Sequence, residues 1–168
     1  ADQFEQELKA MIMSKYNHPS IIMWVPFNEG WGQYDSERIV DFVKTLDSTR
    51  LVNHTSGWAD RGFGDVLDLH HYPEPIPVQP GYDRAAVLGE FGGLGLKIPD
   101  HTWTQENWGY ETVVDTSSLI KKYAQFYEQI YEYEQDPGIS AAIYTQITDV
   151  ETETNGLMTY DRLIKVNE

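Results

Sequence analysis

The chain has 168 residues, 40 % of them apolar, which is enough for one globular domain with a core. It has no cysteine, which excludes disulfides and thiolate metal sites. Its formal net charge of −15 repels nucleic acid and anionic membranes and suits a neutral partner better.

Residues 3–15 read as a helix with Phe4, Leu8, Met11 and Ile12 on one face, stopped at Asn17-His18-Pro19. The run Ile21-Ile22-Met23-Trp24-Val25 reads as a strand covered on both faces, ending at Pro26-Phe27-Asn28-Glu29-Gly30. Residues 36–47 form a second helix, capped by Asp35 or Ser36, with Ile39, Val40, Val43 and Leu46 as its buried stripe. Short strands follow at 51–54, 66–70 and 85–91, the last closed by Gly92-Gly93. A long loop over about residues 95–117 holds Trp103, Trp108 and Tyr110, and loops of this length inside a domain are often functional. Residues 118–135 read as a helix with Leu119, Tyr123, Phe126, Tyr127, Ile130 and Tyr131 inward, and residues 140–146 as the last strand.

This alternation of helices and strands, without repeats or linkers, predicts a single α/β domain over residues 1–168 with a parallel sheet. No run reaches the roughly 18 apolar residues of a membrane helix. Ala1-Asp2-Gln3-Phe4 lacks an initiator Met and the basic and apolar regions of a signal peptide, so a cleaved or excised chain is expected, with its compartment left open.

Polar residues collect at the C-terminal ends of the strands: Asn28, Glu29, His54, His70, His71, Glu90 and Gln146. In parallel α/β folds this is where chemistry is built. Glu29 and Glu90 each end an apolar strand, where desolvation favours a neutral carboxyl. Two carboxylates sharing a cleft separate into a protonated acid and an ionised partner, the pair that glycoside hydrolysis needs. Taken alone, two such glutamates are weak evidence and fit salt bridges or caps better. His54, His70 and His71 could suggest a metal, but no H-E-x-x-H spacing supports one, and neither metal nor cofactor is expected. Trp31 and Trp58 can stack on a sugar or pack in the core, and Trp103 and Trp108 suit an outer subsite.

The flanking residues are more specific. Asn17-His18-Pro19-Ser20, the strand after it and Asn28-Glu29 closely resemble the acid/base segment of glycoside hydrolase family 2, which includes β-galactosidases, β-mannosidases and β-glucuronidases. Val87-Leu88-Gly89-Glu90-Phe91-Gly92-Gly93 resembles the family's nucleophile strand. Tyr144-Thr145-Gln146 through Asn155-Gly156-Leu157-Met158-Thr159-Tyr160-Asp161 resembles the last strand and exit loop. The resemblance implies a retaining β-glycosidase working by double displacement, with Glu29 as acid/base and Glu90 as nucleophile. It implies Asn28 on the sugar 2-hydroxyl, Tyr72 on the nucleophile and His70 on the substrate side, with His54 at the end of the matching fifth strand; Trp58, after a strand end, and Gln146, which stands where many family members have a Trp, are also expected on the substrate side. Asn155-Gly156-Leu157 lacks the lysine of the β-glucuronidase Asn-x-Lys signature, so a neutral, β-galactoside-like carbohydrate is the expected partner. The family's (β/α)8 barrel takes about 250 residues, so the chain is expected to be a partial TIM barrel holding the equivalents of strands 4–8. The first three strands and the preceding β-sandwich domains would then be missing partners. The open strand edges would favour a homo-oligomer, and the isolated piece could equally serve as a non-catalytic sugar-binding or scaffold fragment.

Overall fold

The computed structural model describes residues 1–166. The chain divides into two compact units, one of residues 1–69 and 80–87, the other of residues 70–79 and 88–168. Among the described residues no helix is long and apolar enough to cross a membrane.

The first unit begins with α1 (Asp2–Lys15), which buries Leu8 and Ile12. Strands β1 (Met23–Trp24) and β2 (Phe27–Asn28) follow, then α2 (Ser36–Leu46), which buries Ile39 and Val43. Next come β3 (Leu51–Val52) and β4 (Thr55–Ser56). β1 pairs in parallel with β3, placing Trp24 beside Val52, and β2 pairs in parallel with β4, placing Asn28 beside Ser56. Leu8, Ile12, Trp24, Phe27, Ile39, Val43 and Val52 make one apolar cluster between helices and strands. This is the parallel β/α arrangement that the alternating pattern predicts.

Two features depart from the sequence reading. The strand expected over 21–25 is paired only at Met23–Trp24, and a second strand not expected from the sequence resumes at Phe27, after Pro26, which has no N–H to give to a ladder. It is also not covered on both faces: Trp24 and Phe27 are buried, while Ile22 and Val25 are exposed. The strand expected over 51–54 is likewise paired only at Leu51–Val52, and β4 follows it at Thr55–Ser56.

One guanidinium organises the turn after α1. Arg50 Nε donates to the Ile21 carbonyl at 2.7 Å, and Nη2 donates to the carbonyls of Tyr16 and His18 at 2.8 and 3.0 Å. Its remaining arm bonds Asp47 Oδ2 at 2.6 Å, and the Tyr16 and Trp24 rings lie 5.4 and 5.5 Å from it. Asp47 is buried and also accepts from Trp24 Nε1 at 2.9 Å and from the Thr49 backbone and hydroxyl. Burial alone would raise the Asp47 pKa. The bonds from Thr49, Arg50 and Trp24 outweigh burial and hold the carboxyl well below the usual carboxylate range.

The three-stranded sheet has the order β5-β6-β9, from Val66–His70, Ala85–Gly92 and Ala141–Thr145. The second unit also contains β7 (Leu94–Gly95), paired in parallel with β8 (Glu111–Thr112), and α3 (Thr116–Gln135). The region read as a plain loop is therefore anchored at both ends by β7 and β8. α3 starts two residues earlier than its apolar period suggests, because Asp115 Oδ1 accepts from Ser118 N at 2.7 Å and caps it. Of its expected inward residues Leu119 and Phe126 are buried, whereas Tyr131 is exposed. Phe91 sits among Phe126, Tyr127 and Tyr144, each in edge-to-face contact.

Because the folded-state pKa of Asp47 is depressed, its stabilisation is present above the unfolded carboxylate value and is lost as pH falls toward the folded one. Asp47→Ala should cost about 3 kcal/mol at neutral pH, since it strands a buried guanidinium arm and an indole N–H. Urea denaturation should show the gap to wild type narrowing at about pH 2–3. A gap that does not change with pH would contradict the assignment.

Candidate functional site

Each unit carries half of the residues singled out in the sequence. In the first unit Asn28 is exposed at the end of β2, and Glu29 follows it. The Glu29 N–H donates to the Ser56 carbonyl at 2.7 Å, extending the β2–β4 ladder by one bond. The chain then turns sharply: Glu29 has φ 53°, in the left-handed region that costs a non-glycine residue about 1–2 kcal/mol. Its carbonyl accepts from Thr55 Oγ1 at 2.7 Å and from Gln33 Nε2 at 3.1 Å, so both backbone polar groups of the residue are held. Beneath this strand end Asp68, buried on β5, accepts from Asn53 Nδ2 at 2.6 Å and from Ser56 Oγ at 3.1 Å.

His54 lies between β3 and β4 and is 1 % exposed. Its Nε2 accepts from the Arg61 N–H at 3.0 Å, which requires that nitrogen to be unprotonated. Burial lowers its pKa, opposed by Asp60 at 3.6 Å. In this position the ring fastens the loop after β4. Trp58, exposed, rides on that same loop. Arg84 forks onto Asp60 with bonds of 2.9 and 2.8 Å and also reaches the Phe63 and Val66 carbonyls. The Arg84 bond is the main reason the Asp60 carboxyl is held down to about 2.

In the second unit Glu90 lies on β6, three residues before Gly93. Its Oε2 accepts from the Tyr72 hydroxyl at 2.5 Å, a length typical of O–H to carboxylate, and His70 Nδ1 is 3.3 Å from the same oxygen. The Thr145 hydroxyl is 2.8 Å from Tyr72 Oη. Tyr72 has one proton and spends it on the carboxylate, so Thr145 is the donor there. Burial first, then the Glu90 contact, raises the Tyr72 pKa far above its ordinary value and keeps the phenol neutral. Tyr110 stacks on Tyr72 with ring centres 3.6 Å apart, and Trp108 meets Tyr110 edge-on at 5.3 Å.

Two glycines make this packing possible. A Cβ on Gly93 would lie 2.4 Å from the Tyr110 ring, and one on Gly92 2.3 Å from Tyr144; both glycines also have positive φ. Tyr110 was visible in the sequence as a loop aromatic, but its place on Tyr72 was not. The Gly92-Gly93 pair was the available signal. Trp103 packs on Tyr160 at 4.8 Å, and His71 is turned to the Glu74 carbonyl.

Gln146 follows β9, and its Nε2 donates to Asn155 Oδ1 at 2.7 Å. Asn155 is fully buried and gives its own amide N–H to Glu153. The exit loop is closed by a buried ion pair that the sequence did not reveal. Lys165 Nζ bonds Asp149 Oδ1 at 2.7 Å and the Thr154 carbonyl at 2.9 Å, while the Gly156 N–H donates to the same Asp149 oxygen. Burial is the largest influence on both partners, raising the Asp149 pKa and lowering that of Lys165, and their mutual bond opposes it.

Residues 2–75 match the family model described as glycosyl hydrolases family 2, TIM barrel domain. A β-galactosidase of Aeromonas hydrophila subsp. hydrophila is 28 % identical over 93 residues, which is 53 % of this chain and 9 % of that protein. A β-galactosidase of Lactococcus lactis subsp. lactis is 35 % identical over 65 residues, or 38 % of this chain and 6 % of that protein. The chain thus spans under a tenth of the length of these curated relatives. Among solved structures, the β-glucuronidases of Faecalibacterium prausnitzii and Lactobacillus rhamnosus each superpose on 98 % of this chain with a TM-score of 0.63, at 15 % and 18 % identity, and this chain covers 33 % of each. At such identity the likeness establishes the fold, a part of a TIM barrel made of parallel β/α units. Residues 2–75 thereby resemble part of the TIM barrel domain of glycosyl hydrolases family 2.

Proposed function

We propose that this chain is the carboxylate-bearing part of a retaining β-glycosidase that acts on a neutral, β-galactoside-like substrate. The larger polypeptide would supply the remaining barrel strands and the β-sandwich domains. The observation that carries the reading is the bond from Tyr72 to Glu90, itself backed by Thr145 and by the Tyr110 stack. A nucleophilic carboxylate must be ionised and fixed in orientation, and a neutral phenol donating to one oxygen serves both needs.

In the first step a Glu90 carboxylate oxygen forms a bond to the anomeric carbon as the bond to the leaving oxygen breaks. Glu29 gives its proton to that oxygen. In the second step Glu29 takes a proton from water, the water oxygen attacks the anomeric carbon, and the ester to Glu90 breaks. Double displacement needs the two carboxyls about 5 Å apart. Asn28, exposed beside Glu29, would bind the sugar 2-hydroxyl. His70, which shares the Glu90 oxygen, would lie on the substrate side. Gln146 and the exposed Trp58 would line the sugar subsite. The preference for a neutral sugar has two supports. The curated relatives cited are β-galactosidases. Asn155, in the segment where β-glucuronidases carry Asn-x-Lys, is buried and occupied by Gln146 and Glu153.

Treating the complete enzyme with activated 2-fluoro glycosides should trap the ester on the peptide containing Glu90, with the galactoside reacting faster than the glucuronide. A label on another peptide would overturn the nucleophile assignment. Glu29→Ala should lose about a hundredfold or more on poor leaving groups and far less on good ones, with rescue by azide. Tyr72→Phe should slow trapping about tenfold, because the carboxylate loses its orienting donor; an unchanged trapping rate would count against the role given to that bond.

A further inference from the structure

Glu29 is held by its backbone more than most loop residues are. It is one of few non-glycine residues with positive φ, and its carbonyl receives two side-chain donors that the chemistry above does not use. We propose that Gln33 and Thr55 are positioning residues for the acid/base: they lock the left-handed backbone of Glu29 and so aim its carboxyl, and Gln33 links that aim to the loop that carries Trp58. The inference rests on the assignment of Glu29 as acid/base.

The orientation of the Gln33 amide is determined by its neighbours. Its Oε1 accepts from the Ser36 hydroxyl at 2.8 Å, and its Nε2 donates to the carbonyls of Glu29 and Ala59 at 3.1 and 3.2 Å. The flipped amide would set an oxygen against two carbonyl oxygens. Ser36 is buried at the start of α2, so the amide is braced by a helix. Gln33 thereby closes the Glu29–Gln33 turn on itself and ties it to Ala59, next to Trp58. Thr55, 1 % exposed on β4, approaches from the neighbouring strand at 2.7 Å. A left-handed residue without such partners relaxes toward ordinary φ and swings its side chain. Loss of either donor would therefore displace the acid, with the nucleophile left as it is.

Misplacing the acid should be felt only where the leaving group needs a proton. Thr55→Val, Thr55→Ser, Gln33→Met and Glu29→Ala are compared in the complete enzyme by kcat/KM on aryl β-galactosides of graded leaving-group pKa. Thermal unfolding of each variant checks that it is folded. Thr55→Val and Gln33→Met should lose about tenfold or more on the poorest leaving group and little on dinitrophenyl, with partial rescue by azide. Thr55→Ser, which keeps the hydroxyl, should stay near wild type. Should Thr55→Val fail to fold, Gln33→Met carries the test alone. Losses equal across leaving groups, or none, overturn the inference if Glu29→Ala is itself selective. If Glu29→Ala is not selective, it is the acid/base assignment that fails.

Discussion

A peptide group that leaves a sheet must find another hydrogen-bond partner, and in this chain the strands are so short that many groups face that demand. Among the described residues, eight of the nine strands span only two to five residues, β6 being the longer one. An unsatisfied buried carbonyl costs about 1–3 kcal/mol, so each ladder that stops early must be continued by side chains. Arg50 does this for Ile21, just before β1, while also holding the exposed turn at Tyr16 and His18; Arg84 reaches Phe63 and Val66, and Lys165 reaches Thr154. Thr55 and Gln33 do it for Glu29. The loops at the strand ends are thus fixed by long polar side chains reaching back to backbone oxygens.

Charge and burial are combined with care in the same places. Arg50, paired with Asp47, lies against two aromatic rings, and Asp149 and Lys165 lie in the exit loop; in each case a charged group also holds a neutral backbone group. Removing one partner of such a pair leaves a buried charge, which is more damaging than losing the attraction. These residues contribute to the shape of the loops as much as to their stability. In the second unit the neutral counterpart is the Thr145–Tyr72–Glu90 chain, where one proton on one phenol sets the direction of every bond.

Local pattern made part of this legible. Apolar runs located the strands, and β5 coincides with the run Val66–His70 because its alternation and its stop before Pro73 are both local signals. The period of α2 located Ile39 and Val43. What stayed hidden depends on partners far away in sequence. Thr55 and Glu29 are 26 residues apart, and Tyr72 and Thr145 are 73 apart, so no window on either shows the bond. Pro26 marked where the first strand stops, but nothing local showed that pairing would resume at Phe27. The motif Asn28-Glu29 drew attention to Glu29 but gave no sign of its left-handed backbone.

Gly92 and Gly93 show how narrow the sequence space at a strand end can become. At each position the volume of a Cβ is already filled by a tyrosine ring, one from β9 and one from the loop before β8. A methyl group added to either would shift a ring before it touched anything charged, and through Tyr110 the shift would reach Tyr72. Two positions with no side chain at all are therefore among the least evolvable in this unit. A library that diversified the long aromatic loop would have to accept them as fixed, because the diversity it seeks rests on the space they leave open.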